Sequence, residues 1–599
     1  MLAIGLAATA YASPPPVRLA YNYCTLSYTM AYWGEAEWSA EIDRLARAGY
    51  NAALVTDGTF KVWQLVLREL GADEKTIRDF IPDECARAWW LMGNLTGEGG
   101  PLDPQTIDDD GARGRWICER MRARGIEPVL QGCTGMVPPA DVFSGAEPQR
   151  RGDCVLIPQG KWGPYERPPL MDPTCPAFAR LAEIWYAKLE EVYGFKPTYL
   201  AGDLFHEGGR TDGVDVTAAV RAVQAAQQRA FPGVTWVVQA WQRNPTAAVR
   251  AGLDPRHTLI EALVKDMSRD PQPMDFGDLP WIWCEVLNFG GNHGLYGNLK
   301  TFAHLGACTN ATFRGYGLLS EGLGTNLVCY DLFEEMMMRD AGRVMTDAEL
   351  DDWLDKWVDQ RYGLSSTNSQ FSTLNSQFSS DNSQFSILNS PLHKSWRILA
   401  ATVYACNRCQ EGTTENVICA APSWTANNVS TWGPTEGLWY DPARLEEAAQ
   451  LFDKANEEMT FTNLQGVLNF AHDRYDIRRQ VRANDVRRLL PRLKDPHDLP
   501  ARKEFMRHLF ALEPDCTWLG VPDAFRLEPQ LALARARAGA RGEAAFRRMV
   551  TTWADPKYGR TTLADYANRE YVELLRDYYL PRWWAFLNRA PADGVPTME

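Results

Sequence analysis

The sequence is poor in several features that would mark common classes of protein. No apolar run reaches the ~20 residues that a membrane span needs. There is no HExxH motif, and the eight histidines are dispersed, which removes the usual signature of a zinc hydrolase. No GxGxxG follows the first β-rich run, so nothing marks a dinucleotide-binding turn. No block of Lys and Arg stands clear of neighbouring acids. With a net charge of −14, the chain has no basic footprint for nucleic acid. Cys406 and Cys409 form a single CxxC motif, and no second pair at zinc spacing follows it. The thirteen cysteines are scattered, and their odd number leaves at least one unpaired if the rest bridge. Neither a metal nor a cofactor is implied.

What is present is a globular composition over 599 residues, 45% hydrophobic and 23% charged, enough for two domains with their own cores. The 22 Trp, 22 Tyr and 23 Phe supply ample surface to bury, which excludes wholesale disorder. An acidic, Trp-rich chain fits a neutral small molecule or glycan better than a polyanion. Residues 1–12 form a short apolar stretch ending Ala10-Tyr11-Ala12, followed by Ser13 and three prolines. It resembles the apolar core and cleavage site of an export signal without the basic start, so a periplasmic or secreted protein is expected.

From residue 13 to 342, short β-rich runs alternate with amphipathic helical stretches. Eight runs are found: 17–24, 50–57, 126–135, 198–205, 234–241, 257–264, 280–289 and 311–319. Between them lie patterns such as Trp38, Ile42, Leu45 closed by Gly49, and Phe178, Leu181, Trp185, Val192 closed by Gly194. Such spacing, with glycine just past the end, is that of a helix docked on a sheet. Eight strand–helix units predict a closed parallel (β/α)8 TIM barrel. After 343 the β-rich runs vanish and Ala/Arg/Leu/Glu-rich stretches predict an all-α domain over 343–599. A repeated NSQFS segment at about 365–390 reads as a low-complexity insertion that cannot bury a core.

In a parallel barrel the chemistry sits at the carboxyl ends of the strands. The fourth run ends Gly202-Asp203-Leu204-Phe205-His206-Glu207-Gly208-Gly209, and the eighth ends Leu319-Ser320-Glu321-Gly322. Each places a carboxylate at a strand exit with glycine immediately after. A pair of carboxylates in contrasting surroundings is what glycoside hydrolysis uses. Alternatively, Glu207 could cap the next helix and Glu321 could pair with Arg314. The seventh run enters Asn288-Phe289-Gly290-Gly291-Asn292-His293-Gly294, whose amides and imidazole suit sugar hydroxyls and an acetamido group, or else self-cap a tight turn. Trp241 after the fifth run, and Trp89 with Asn94 after the second, offer faces and a polar group to a pyranose, with buried packing as the alternative.

The segments 21–33, Trp90 to Leu95, 202–209 (GDLFHEGG), 280–297 (PWIWCEVLNFGGNHGLYG) and 318–326 (LLSEGLGTN) resemble the α-N-acetylglucosaminidases of glycoside hydrolase family 89. RYGL at 361–364 and VYACN at 403–407 extend the likeness into the α domain. The resemblance implies a retaining exo-glycosidase that removes terminal, non-reducing α-linked N-acetylglucosamine, with Glu207 as general acid/base and Glu321 as nucleophile. It also implies substrate contacts by Asn22, Cys24, Trp89, Asn94, Asp203, His206, Trp241, Asn288 and His293, with Trp439 on the aglycone side. Asn replaces His206 in the lysosomal member of the family. The small α/β domain that usually precedes the barrel in this family is missing here, and with the short signal and the repeat after Leu364 this suggests a truncated or disturbed gene model. Two other readings fit the same fold: a catalytically inactive glycan-binding protein, and a retaining α-glycosidase for another sugar. Mucin caps, heparan fragments and bacterial polysaccharides all present this terminal sugar, and nothing in the sequence chooses among them or fixes an oligomeric state.

Overall fold

The computed structural model of the chain describes residues 16–139, 154–264, 270–339, 342–364, 390–407, 417–424, 438–458, 461, 463–495, 497–510, 520–553, 557, 563 and 565–589. The signal-like segment, the NSQFS repeat and Cys409 lie outside them.

Eight parallel strands close into a barrel: β1 Val17–Ala20, β2 Ala52–Leu54, β3 Glu127–Gln131, β4 Tyr199–Ala201, β5 Thr235–Ala240, β6 Thr258–Val264, β7 Trp281–Glu285 and β8 Phe313–Leu318. Neighbours in sequence are neighbours in space, and β8 returns to β1 with Val17 opposite Gly315 and Ala20 opposite Leu318. Every strand lies within one of the eight β-rich runs. Their near-continuous apolar character follows from burial on both faces; β7 is buried along its whole length. Glu285 on β7 and Glu261 on β6 are buried polar exceptions.

The helices that cover the barrel form where the spacing predicted them. Glu35–Ala48 buries Trp38, Ile42 and Leu45, with the Glu37 carboxylate accepting the Gly34 N–H at 2.9 Å at its start. Gly49 ends it at φ 87°, a left-handed conformation that favours glycine over any residue with a side chain. Pro176–Tyr193 begins with proline in its first turn and buries Phe178, Leu181, Trp185 and Val192.

Beyond the barrel, the described elements are helices, including Asp347–Tyr362, Pro391–Ala400, Pro442–Glu458, Leu464–Leu489 and Leu527–Met549. This helical domain grips the strand-exit face of the barrel through cations on buried acceptors. Arg479, 1% exposed at its side chain, pairs with Asp476 and Glu570 and donates to the His293 carbonyl. Arg541 and Arg548 reach Glu84 and Asp83, and Arg569 donates to the Tyr28 carbonyl at 2.6 Å. Buried ions must be paired to be tolerated, so these contacts fix how the helical domain sits over the barrel mouth. Among the described residues no helix is long and apolar enough to cross a membrane.

Candidate active site

The exits of β4 and β8 open into one cleft of about 470 Å³ at the carboxyl end of the barrel, within the range of small-molecule sites. Glu207 and Glu321 both line it.

Glu207 sits on a backbone that is costly to hold. Phe205 and Glu207 have φ of 57° and 43°, left-handed values that a side chain disfavours by roughly 1–3 kcal/mol each. Arg167 holds the turn, donating to the His206 carbonyl at 2.8 Å and the Glu207 carbonyl at 2.7 Å. Its carboxylate accepts from Asn94 Nδ2 at 2.8 Å on Oε2 and from Trp241 Nε1 at 2.9 Å on Oε1. Burial pushes the acid up. His206, the Trp241 and Asn94 donors and Arg167 outweigh that and hold it below the ordinary glutamate value. The following helix, Val216–Ala230, is capped by Asp215, so Glu207 is left for the cleft.

Glu321 is 8% exposed and is fixed more tightly. Its own N–H donates to the Leu287 carbonyl at 2.9 Å. Its Oε2 accepts the Gly290 N–H at 2.6 Å, and the Tyr566 hydroxyl lies 3.2 and 3.0 Å from its two oxygens. Burial, then Glu321, pushes Tyr566 well above the ordinary phenol value, so it stays a neutral donor. The close approach needs glycines. A Cβ on Gly290, which is at φ 66°, would fall 2.1 Å from the Tyr566 carbonyl, and one on Gly322 would fall 2.4 Å from Gly291 Cα. Arg314 instead donates to the carbonyls of Ala311 and Phe313.

Most of the other expected contacts gather around these two acids. Cys24, Trp89, His206 and Trp241 line the cleft. Burial, then Glu321 and Glu207, raises the Cys24 thiol well above its ordinary value, so one protonated sulfur lies within electrostatic reach of both carboxylates. Trp89 packs edge-on against Tyr28 at 5.0 Å and Trp553 at 4.7 Å between centroids. Asn22 also borders the cleft, but its amide is engaged: Oδ1 caps helix Tyr23–Tyr28 and Nδ2 donates to the Leu319 carbonyl. Asn94 acts through Glu207. Asp203 lies behind, with Oδ1 accepting the Gln239 N–H at 3.0 Å.

Three expected contacts are placed elsewhere. Asn288 is fully buried; it donates to the Gly322 carbonyl and the Tyr330 hydroxyl, both at 3.0 Å, and accepts from Asn326 at 2.8 Å. It braces the Glu321 loop from beneath. His293 packs between Phe525 and Tyr571 at 5.3 and 5.1 Å, and burial, then Arg569 and Arg479, holds it well below the ordinary imidazole value. Trp439 donates to the Thr402 carbonyl at 2.9 Å and packs on Tyr296, outside the cleft lining. The Asn288 and His293 side chains therefore face protein, while Phe289 of the same loop lines the cleft and the Gly290 N–H reaches Glu321. The loop's glycines bring backbones close together.

The cleft also uses residues with no marker in the sequence. Tyr566 comes from the far end of the chain, Trp162 from the short ribbon Lys161–Trp162/Tyr165–Glu166, and Arg167 from the residue after it. Tyr28 stands at the end of a short helix beside the cleft, where nothing but its ring distinguishes it. Among the described residues no group of three His, Cys, Asp or Glu side chains is placed to hold a metal ion.

Family models for the TIM-barrel and C-terminal domains of alpha-N-acetylglucosaminidase match residues 18–340 and 353–593. Human alpha-N-acetylglucosaminidase is 28% identical, over 98% of this chain and 77% of its own length. A family 89 glycoside hydrolase from Clostridium perfringens, in complex with 2-acetamido-1,2-dideoxynojirmycin, superposes with a TM-score of 0.82 at 26% identity, over 98% of this chain. A doubly substituted form of the clostridial enzyme, in complex with its substrate GlcNAc-α-1,4-galactose, gives 0.80 at 25%. The chain spans 65% of the length of those clostridial structures. Two matched domains in order, covering most of the chain, place it in the alpha-N-acetylglucosaminidase family, glycoside hydrolase family 89.

Proposed function

We propose that the protein is a retaining exo-α-N-acetylglucosaminidase that removes terminal, non-reducing α-linked N-acetylglucosamine, with a galactoside such as the clostridial substrate as its model glycan. The observation that carries the reading is the shared cleft: two carboxylates on the exits of β4 and β8, in unlike surroundings, with Trp89, Trp162 and Trp241 around them. Glu207, on the open side, protonates the glycosidic oxygen. Glu321, held by donors on both oxygens, attacks the anomeric carbon from the opposite face. Departure of the aglycone leaves a glycosyl ester on Glu321. Glu207, now a carboxylate, takes a proton from water, which attacks the same carbon and restores the starting configuration. The Trp faces suit the apolar side of a pyranose, and the cleft size suits a terminal sugar more than the middle of a chain.

The test is release of 4-nitrophenol from its α-N-acetylglucosaminide, with the first-formed anomer read by proton NMR. The α anomer is expected, and Glu207→Gln and Glu321→Gln should each lose at least ~10³-fold in kcat. Binding of N-acetylglucosamine without turnover by the unmodified protein would establish a glycan-binding protein instead. Faster cleavage of the α-glucoside would establish a different sugar specificity. We also propose export to the periplasm or beyond, supported by the apolar segment at 1–12; cell fractionation that leaves the full-length chain in the cytoplasm would refute it.

A further inference from the structure

The glycosidase reading gives no task to the ring that stands between Asp203 and Glu207. The His206 side chain is 5% exposed, with Nδ1 3.9 Å from Asp203 Oδ2 and Nε2 3.9 Å from Glu207 Oε2. Asp203 Oδ2 is buried and accepts no hydrogen bond, although its other oxygen takes the Gln239 N–H. The imidazole thus bridges a buried acceptor and the oxygen of Glu207 that Asn94 also holds. A small rotation or one bridging water closes either gap, as is usual for catalytic contacts before substrate arrives.

The other charged and titratable groups facing this cluster are few. Glu261 on β6 acts on Asp203 from within the barrel, and Tyr23 feels both of those acids. Arg167 approaches Glu207 from the side but spends its guanidinium on the two carbonyls. Cys24 feels both Glu207 and Glu321, which faces the same cleft. The two groups nearest the ring, Asp203 and Glu207, are both acids. Yet the donors around Glu207 favour its carboxylate, whereas the first chemical step needs its acid form. The proton for that step has to be kept close by.

Resting on the glycosidase reading, we propose that Asp203, His206 and Glu207 form a relay sharing one proton, with His206 as its reservoir. His206 is then a positioning residue that acts through Glu207. In the free protein the proton is on Nε2 and Glu207 is a carboxylate. A sugar entering the cleft displaces water, and the ion pair loses its solvation. The Nε2–H bond breaks, its electron pair stays on nitrogen, an O–H bond forms at Glu207 Oε2, and both groups become neutral. Asp203 keeps Nδ1 protonated throughout and so fixes the tautomer. Glu207 passes the proton to the glycosidic oxygen. When Glu207 later takes a proton from the attacking water, that proton returns to Nε2 as product leaves. The balance closes at one proton per turnover with no added reagent.

Two consequences separate a relay from a merely structural histidine. The alkaline limb of kcat/KM reports the last proton to leave the coupled pair and not a lone carboxyl. The requirement for His206 also disappears when the leaving group needs no proton. The experiment compares the wild type with His206→Asn and Asp203→Asn, using GlcNAc-α-1,4-galactose and 2,4-dinitrophenyl α-N-acetylglucosaminide across pH. His206→Asn should move the alkaline limb for the disaccharide down by about one pH unit or more. Near neutral pH the disaccharide rate should fall about 10-fold or more, and the dinitrophenyl rate less than about 3-fold. Asp203→Asn should move the limb in the same direction by less. An unmoved limb, or equal losses on both substrates, overturns the relay while leaving the glycosidase intact. A wild type that turns over neither substrate overturns both.

Discussion

Replacing Trp241 by phenylalanine removes one donor from Glu207 and keeps an aromatic face on the cleft wall. The indole N–H lies 2.9 Å from Oε1, while Asn94 holds Oε2 independently at 2.8 Å. A hydrogen bond to a charged group contributes about 1.5–3 kcal/mol when well buried. Trp241 is only half-buried, and Gln242, 3.4 Å from the same oxygen, can close in, so a net loss of about 1 kcal/mol is expected. At 1.36 kcal/mol per unit, that raises the Glu207 pKa by about 0.7. The sign follows from the donor favouring the charged form: without it the proton is held to higher pH. In a His206→Asn background, where no imidazole shares the proton and the alkaline limb of kcat/KM reports Glu207 alone, the limb should therefore move up by about half a unit to one unit. That is opposite in direction to the effect of His206→Asn. The assay is kcat/KM against pH with 4-nitrophenyl α-N-acetylglucosaminide. The altered ring face changes KM as well, so the position of the limb decides the matter and the absolute rate does not. A limb that stays in place or moves to lower pH would refute Glu207 as the acid.

Gly290→Ala should leave the fold measurable by circular dichroism but lower kcat/KM about 100-fold or more, because its Cβ would fall 2.1 Å from the Tyr566 carbonyl and so displace both donors to Glu321. Loss of less than about 3-fold would show that these donors do not set the reaction rate. Glu261→Gln tests the barrel interior through stability. Burial, then Asp203, pushes Glu261 from the ordinary 4.5 up to about 8. A raised acid stabilises the fold below the unfolded value, and that stabilisation is lost as pH rises through the folded value. Thermal midpoints of wild type and variant should lie closest near pH 5 and separate toward pH 8 with the variant higher, by up to a few kcal/mol. A gap independent of pH would contradict a buried neutral glutamic acid.

The barrel could be read from the sequence because a strand covered on both faces must be apolar throughout, and a helix on its surface must repeat every three or four residues. Trp236 and Trp281 are buried on β5 and β7 for that reason, and Trp38, Ile42 and Leu45 on the first long helix. The two glutamates stand out for a related reason, a carboxylate at the exit of an apolar strand followed by glycine. Capping or ion pairing fits the same spacing, however, and the roles of Glu207 and Glu321 come from the family resemblance. The Asn288 and His293 side chains lie outside the cleft lining. Their loop carries donors and glycines, which is equally the composition of a loop that must pack backbone against backbone. Only the third dimension distinguishes the two cases. There, Gly290 and Gly291 face Tyr566 and Arg569 of the helical domain so closely that neither could carry a side chain.

Tyr566 marks the limit of local reasoning and also explains the two-domain architecture. Its hydroxyl reaches both oxygens of Glu321 from 245 positions away, and its segment is tied down by Arg569 on the Tyr28 carbonyl, Asn568 on the Cys419 carbonyl and Glu570 on Arg479. A barrel alone would leave Glu321 without the phenol that reaches both its oxygens and with an open wall above it. In that setting a carboxylate is hydrated and free to rotate, and it loses the fixed aim that an attack on one face of a sugar requires. The buried cations at the interface thus have a mechanistic reason to be there. Each costs desolvation that apolar packing would avoid, but together they hold a phenol at hydrogen-bonding distance from the nucleophile, which a more slippery apolar interface would not do.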